Sequence, residues 1–220
     1  MAEISFSSRP DLISTSDDLK KLFKAMPVVR RSKNQIVIYE GDDVKHFFYL
    51  KSGYVKVFNI NDDGEERTLL ILKPGDFFPL LKDPDRPGYI SPYFYDAMTT
   101  SEIGSITQAD FLDIASSNRQ AAWALLRYTS EFSSQLTQRL AQIEIKTAEG
   151  KLENLLLYLK DVCGRPNRDG SYKLELKLTH QDLASLLGIA RETVSREIQE
   201  LVRRGLVKNE SGYLIIPSKR

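Results

Sequence analysis

Between residues 35 and 107 the apolar positions come in short runs or alternate with polar ones: "QIVIYE", "HFFYLKSG", "YVKVFNI", "RTLLILKPG" and "SEIGSIT". Gly41, Gly53, Gly64 and Gly75 punctuate these runs at 11- or 12-residue spacing, each beside Asp, Ser or Pro. Short runs of this kind between turn residues read as strands, and "DDG" at 62–64 is a hairpin turn signal. The pattern predicts a β-sandwich or barrel. Ahead of it, "DDLKKLFKAM" at 17–26 reads as a short helix covering one end.

From about 119 to 146 the period becomes helical. Leu125, Thr129, Phe132, Leu136, Leu140 and Ile143 recur at steps of 4, 3, 4, 4 and 3, which is one face of a helix roughly 40 Å long. Such a stripe either packs the helix on its own β-domain or forms the seam of a dimer. On so long a helix the dimer seam is expected, carried by Leu125, Phe132, Leu136, Leu140 and Ile143.

A third segment, 147–220, opens with helical "GKLENLLLYLKDV" and passes through a polar break, "GRPNRDGS". Thr179 is a good N-cap for a helix starting near His180, and Asp182 lies at its positive end. Gly188 stops that helix and a second begins around Arg191. Two helices joined by a short Gly-containing turn make a helix-turn-helix. The hairpin expected after Gly205, "LVK", "NESG" and "YLII", would be the wing of a winged helix.

In the second helix, Arg191, Glu192, Ser195 and Arg196 share one side, because i, i+1, i+4 and i+5 do. Val194, Ile198 and Leu201 form the opposite, apolar stripe. Arg takes both acceptors of guanine and Glu accepts from cytosine N4, while hydroxyls such as that of Thr193 reach phosphates. The bland alternative is a solvated face with a Glu192–Arg196 pair at i,i+4 spacing. Ahead of a wing, base reading is the expectation.

Composition narrows the function classes. The 220 residues are 41% hydrophobic and 28% charged, ordinary for a globular protein. No apolar run approaches the roughly 20 residues of a membrane span, and "MAEISFSSRPDLIST" lacks the pattern of a signal peptide. A cytoplasmic protein without a membrane partner is expected. The net charge of +1 divides unevenly: 146–220 hold 14 Lys/Arg and 10 Asp/Glu (+4), and 1–145 hold 17 and 20 (−3). That fits a regulatory front joined to a nucleic-acid-binding back. Cys163 is the single cysteine, so one chain makes no internal disulfide and no all-Cys metal site. With two histidines, no phosphate-cradling Gly-rich loop and no nucleophile elbow, catalysis is not expected.

The order of β-domain, long helix and winged helix, with "LTHQDLASLLGIARETVSREIQELVRRGLV" and "YEGDDVKHFFYLKSGYVKVF…DGEERTLLILKPGDFF", resembles the Crp/Fnr family of bacterial transcription regulators from about residue 19 to 217. The resemblance implies an α+β chain: a double-stranded β-helix (β-roll, or jelly roll) as sensor over 1–118, a dimerisation helix over 119–146, and a winged helix-turn-helix over 147–220. It implies that Arg191, Glu192 and Arg196 read base edges, with Ser195 as a further base-reading position. Thr179, Gln181 and Thr193 are then the phosphate contacts, on palindromes whose half-sites carry a TGA core. Double-stranded DNA, a second copy of the chain and RNA polymerase are the implied partners. Ala190 departs from the family, which usually has Ser or Thr there, and this removes an N-cap worth about 1 kcal/mol.

The sensor departs further. Cyclic-nucleotide binders of the family follow "PGDFF" with Gly-Glu, which holds the ribose, and later Arg-Ser or Arg-Thr, which holds the cyclic phosphate. Here Pro79 and Leu80 replace the first pair, and Ser91 and Pro92 fall at the second. A buried phosphate without a cationic or amide partner is strongly unfavourable, so cyclic AMP is not the expected effector. The iron–sulfur branch needs cysteines that this sensor lacks, and a haem would have only His46, read as structural. No cofactor is expected. Phe78, Leu80, Arg86, Tyr93, Tyr95 and Thr137 are the candidate pocket for an unidentified small molecule, although the aromatic group at 89–95 would equally serve as core. A signalling module that does not act through DNA is the remaining alternative.

Overall fold

The structure is a computed structural model that describes residues 26–79, 83, 88–142 and 145–218. The helix expected at 17–26, and Leu80, Arg86 and Ile143, lie outside or at the edge of these described residues. Eight strands build the front half: β1 (Val28–Arg31), β2 (Ile36–Ile38), β3 (His46–Ser52), β4 (Val55–Ile60), β5 (Glu66–Leu72), β6 (Phe77–Phe78), β7 (Phe94–Ala97) and β8 (Ser101–Thr107). They form two antiparallel sheets, ordered β1-β8-β3-β6 and β2-β7-β4-β5. Alternation places Leu50, Phe78 and Ile103 of one sheet against Ile38, Val55, Leu72 and Tyr95 of the other, all buried in one core. The β3–β4 turn requires Gly53: φ is +86°, and a Cβ would stand 2.7 Å from the Ser101 Cα.

Helix α1 (Gln108–Ser117), capped by Thr107, leads into α2 (Arg119–Gln142). Helix α2 ends earlier than the pattern suggested, and α3 (Ala148–Cys163) starts under a Thr147 cap. The stripe on α2 is divided. Leu125 packs against a buried cluster of Tyr49 and Phe77 from the roll and Ala124 and Tyr128 of α2 itself, and Phe132, Leu136 and Leu140 line a cavity beside it. Of the expected seam, Leu125, Phe132 and Leu136 are half-buried against their own chain, and Leu140 is exposed. Another face is open: Trp123, Leu126 and Leu140 are 63%, 58% and 64% exposed.

The back half holds α3, α4 (His180–Leu187) and α5 (Arg191–Arg203) against a four-stranded antiparallel sheet. The wing is the hairpin β11 (Lys208–Glu210) and β12 (Tyr213–Ile216). The polar break is a second hairpin, β9 (Gly164–Pro166) and β10 (Tyr172–Leu174), which extends the wing sheet. Its strands are too short for an alternating pattern to reveal.

Edge strand β5 meets the back half. The Ser185 hydroxyl on α4 accepts the Thr68 N–H at 2.9 Å and donates to the Glu66 carbonyl at 3.0 Å. The Tyr158 hydroxyl on α3 accepts the Ile71 N–H at 3.0 Å. An uncovered edge strand leaves amides unpaired, and here side chains of the helical half satisfy two of them.

Candidate functional site

The helix-turn-helix is set by its caps. The Thr179 hydroxyl accepts the Asp182 N–H at 3.1 Å while the Asp182 carboxylate accepts the Thr179 N–H at 2.7 Å, a reciprocal capping box. Gly188 ends α4 at φ +64°, donating its N–H to the Ala184 carbonyl at 2.8 Å. Helix α5 then starts at Ala190, which has extended backbone and makes no side-chain cap bond.

Val194, Ile198 and Leu201 bury into the core formed by Leu152, Leu155 and Leu159 of α3 and Leu183 of α4. That fixes the rotation of α5 and leaves Arg191, Glu192 and Arg196 exposed, with Thr193 and Ser195 half-buried beside them. The Glu192–Arg196 pair does not form. Arg196 Nε lies 3.5 Å from Glu197 Oε1 instead, and among the described residues Arg191 and Glu192 make no ion pair. The face thus presents two guanidinium groups and a carboxylate with most of their hydrogen-bonding capacity unused. Gln181 is exposed in the first turn of α4, and the Thr179 hydroxyl beside it is engaged in its own cap. Lys173 on β10 and Lys177 in the loop after it place their ammonium groups 4.3 and 4.8 Å from the ring centre of Tyr213 in the wing, a pair of cations that sequence reading missed because strand, loop and wing supply one residue each.

A cavity of about 560 Å³ lies between the roll, α2 and α4. Of the expected pocket residues, Phe78, Tyr93 and Tyr95 line it. Leu80 and Arg86 lie outside the described residues. Thr137 does not line the cavity: it is exposed, and its hydroxyl donates to the Ser133 carbonyl at 2.9 Å. The helical twist brings Phe132, Leu136 and Arg139 to the cavity instead. Burial raises the Tyr95 phenol far above its ordinary range, with the nearby Tyr89 and Tyr93 adding to the effect.

The segment where a cyclic phosphate would be expected is already satisfied internally. Ser91 is fully buried, its N–H donating to the Asp42 carbonyl at 2.9 Å and its hydroxyl to the Tyr93 carbonyl at 2.7 Å. Pro92 has no N–H to offer. No group of three or more His, Cys, Asp or Glu able to hold a metal occurs among the described residues. None of the described helices is long and apolar enough to cross a membrane. Cys163 is buried, its thiol pushed up to about 11 mainly by desolvation, which makes it a weak nucleophile at neutral pH.

Comparison with known proteins matches both halves. A cyclic nucleotide-binding domain model covers residues 28–118, and a Crp-like helix-turn-helix domain model covers residues 150–220. The cAMP-activated global transcriptional regulator Vfr of Pseudomonas aeruginosa is 23% identical over 218 residues, spanning 93% of this chain and 97% of that one. The global nitrogen regulator of a Nostoc species is 27% identical over 206 residues, 89% and 91% of the two chains. Among solved structures, FixK2 from Bradyrhizobium japonicum superposes with a TM-score of 0.74 at 18% identity, covering 89% and 93%. A CRP-family transcriptional regulator from Thermus thermophilus gives 0.71 at 19% identity, covering 86% and 92%.

Proposed function

Because the chain belongs to the Crp/Fnr family of transcription regulators, we propose that it works in the cytoplasm as a homodimer reading a two-fold operator through α5. In this reading Arg191, Glu192, Ser195 and Arg196 contact base edges in the major groove of TGA-type half-sites about one helical turn apart. Thr179, Gln181 and Thr193 hold phosphates, and RNA polymerase is the protein partner. The observation that carries the proposal is the orientation of α5: its apolar stripe is buried and its Arg/Glu face is open.

The dimer forms through the outer face of α2. Trp123, Leu126, Ser130, Ser133, Thr137 and Leu140 follow one another at steps of 3, 4, 3, 4 and 3, the heptad spacing of a two-stranded seam, and all six are exposed. Cyclic AMP is not the effector, because Ser91 and Pro92 leave no free donor for its phosphate. Instead, a small molecule of another kind uses the cavity beside Phe78, Tyr93 and Tyr95.

Selection of bound sequences from a random DNA pool, with and without cell extract, tests the reading. A palindrome with TGA half-sites is the expected result. Failure to enrich any sequence in either condition would favour a signalling module that does not act through DNA. Isothermal titration with cyclic AMP should find no affinity tighter than about 1 mM, roughly −4 kcal/mol. A micromolar constant accompanied by tighter operator binding would overturn the effector assignment.

A further inference from the structure

We infer that Glu197 is a positioning residue for base reading: it holds the Nε edge of Arg196 and keeps Arg196 and Glu192 apart, so that each meets DNA with its recognition atoms free. The inference rests on the reading of α5 given above and adds to it a residue outside the base-contacting set. Successive residues of a helix stand about 100° apart, which places Glu197 on the flank of the buried stripe of Val194, Ile198 and Leu201. Its side chain is 18% exposed, against 73% for Arg196, and its Oε1 lies 3.5 Å from Arg196 Nε. One partner is thus held by packing while the other extends toward solvent. An ion pair between two free surface side chains gives up the rotamer freedom of both, whereas here the cost falls mainly on the arginine.

The contact divides the guanidinium. Arginine carries five N–H donors in a planar fork, one on Nε and two on each Nη. With a carboxylate on the Nε edge, the Nη1/Nη2 end remains, and its parallel donors match N7 and O6 of guanine. A long side chain anchored in this way is kept from swinging to a neighbouring phosphate, where its contact would carry no sequence information.

The same contact settles a competition along the helix. Glu192 stands four residues before Arg196, the favourable order for an i,i+4 pair, and both side chains are exposed. Such a pair would consume both recognition groups, and docking on DNA would have to break it. Arg196 turns to Glu197 instead, and Glu192 makes no ion pair among the described residues, which leaves its carboxylate for cytosine N4. Glu197 itself is too covered to reach a base edge. Its effect on reading therefore passes through Arg196.

The test measures binding of the full chain to the palindrome that the wild type enriches from a random DNA pool, to its single-base variants, and to a duplex lacking the half-sites. Glu197→Ala should lose about threefold discrimination at the guanine read by Arg196, the scale of a partly exposed ion pair. It should also bind the duplex without half-sites more tightly, because a carboxylate near the phosphates is gone. Glu197→Gln removes the same charge but keeps an acceptor for Nε, and should retain most of the discrimination. In an Arg196→Ala background, Glu197→Ala should change discrimination no further. Unchanged discrimination in Glu197→Ala, equal losses in the Ala and Gln variants, or a further loss in the Arg196→Ala background would each overturn the assignment. So would weaker binding of Glu197→Ala to every duplex together with a lowered melting temperature, since that marks a structural role. Arg196→Ala alone separates the two claims. If it keeps single-base discrimination, the base-reading assignment of α5 fails; if it loses discrimination and Glu197→Ala does not, only the positioning role fails.

Discussion

At the scale of single residues, side chains of one helix are expected to do different work. Arg196→Ala should lose about 1–3 kcal/mol of discrimination at one base position of the half-site. Thr193→Ala should instead weaken binding to all sequences alike, since a phosphate carries no sequence information. Competition binding against single-base operator variants distinguishes the two, and equal, sequence-independent losses would return the cluster to a solvated face. Asp76 offers a different residue-level test. Its carboxylate accepts the Lys73 N–H at 2.8 Å, yet burial pushes the group up to about 6. The folded state thus holds this proton more tightly than the unfolded chain, whose carboxyl titrates near 3.8. The stability it contributes is fully present below about pH 4 and is lost as pH rises through about 6. Asp76→Asn should flatten that decline, so urea unfolding should show the variant gaining relative to the wild type between pH 4 and pH 7. A difference independent of pH would show that Asp76 is not the group responsible.

At the scale of elements, α2 carries apolar side chains on two faces, and the two should respond differently to a charge. Leu126→Glu, on the outer heptad, should halve the mass seen by light scattering and leave the roll folded. Leu125→Glu, one position back, enters the Phe77–Tyr128 cluster and should lower the melting temperature instead, because an unpaired buried carboxylate is strongly unfavourable. A dimeric Leu126→Glu protein would place the seam elsewhere. Periodicity could not separate these faces. The sequence shows which residues share a side of a helix, but both faces of α2 carry large apolar residues.

At the scale of the molecule, the helix-turn-helix half is docked on the roll through groups that neither half satisfies alone. Ser185→Ala removes the acceptor of the Thr68 N–H and leaves a buried amide unpaired, a cost of about 1–3 kcal/mol. Hydrogen exchange at Thr68 should accelerate by about tenfold or more, while the roll core near Leu50 and Val55 keeps its protection. If Thr68 exchange is unchanged, the docking does not depend on this hydroxyl. The cavity belongs to the same scale, since its lining residues Phe78, Arg139 and Leu186 come from three elements far apart in the chain.

What the sequence determined by itself is whatever depends on neighbours along the chain. The strands punctuated by glycines, the Thr179 cap, the Gly188 stop and the outward Arg191–Glu192–Arg196 face all follow from local sterics and from periods of two or 3.6 residues. The absence of a free donor at Ser91–Pro92 was partly legible too, because proline lacks an N–H whatever surrounds it. Tertiary structure decided the rest. It turned Leu125, Phe132 and Leu136 toward their own roll, left Thr137 outside the cavity, joined the β9–β10 hairpin to the wing sheet, and brought Arg139 and Tyr95 to the wall of one cavity. These outcomes depend on which of several apolar faces finds the larger complementary surface and which edge amides need a partner. That competition is settled by packing across the whole molecule, and no window of sequence contains both sides of it.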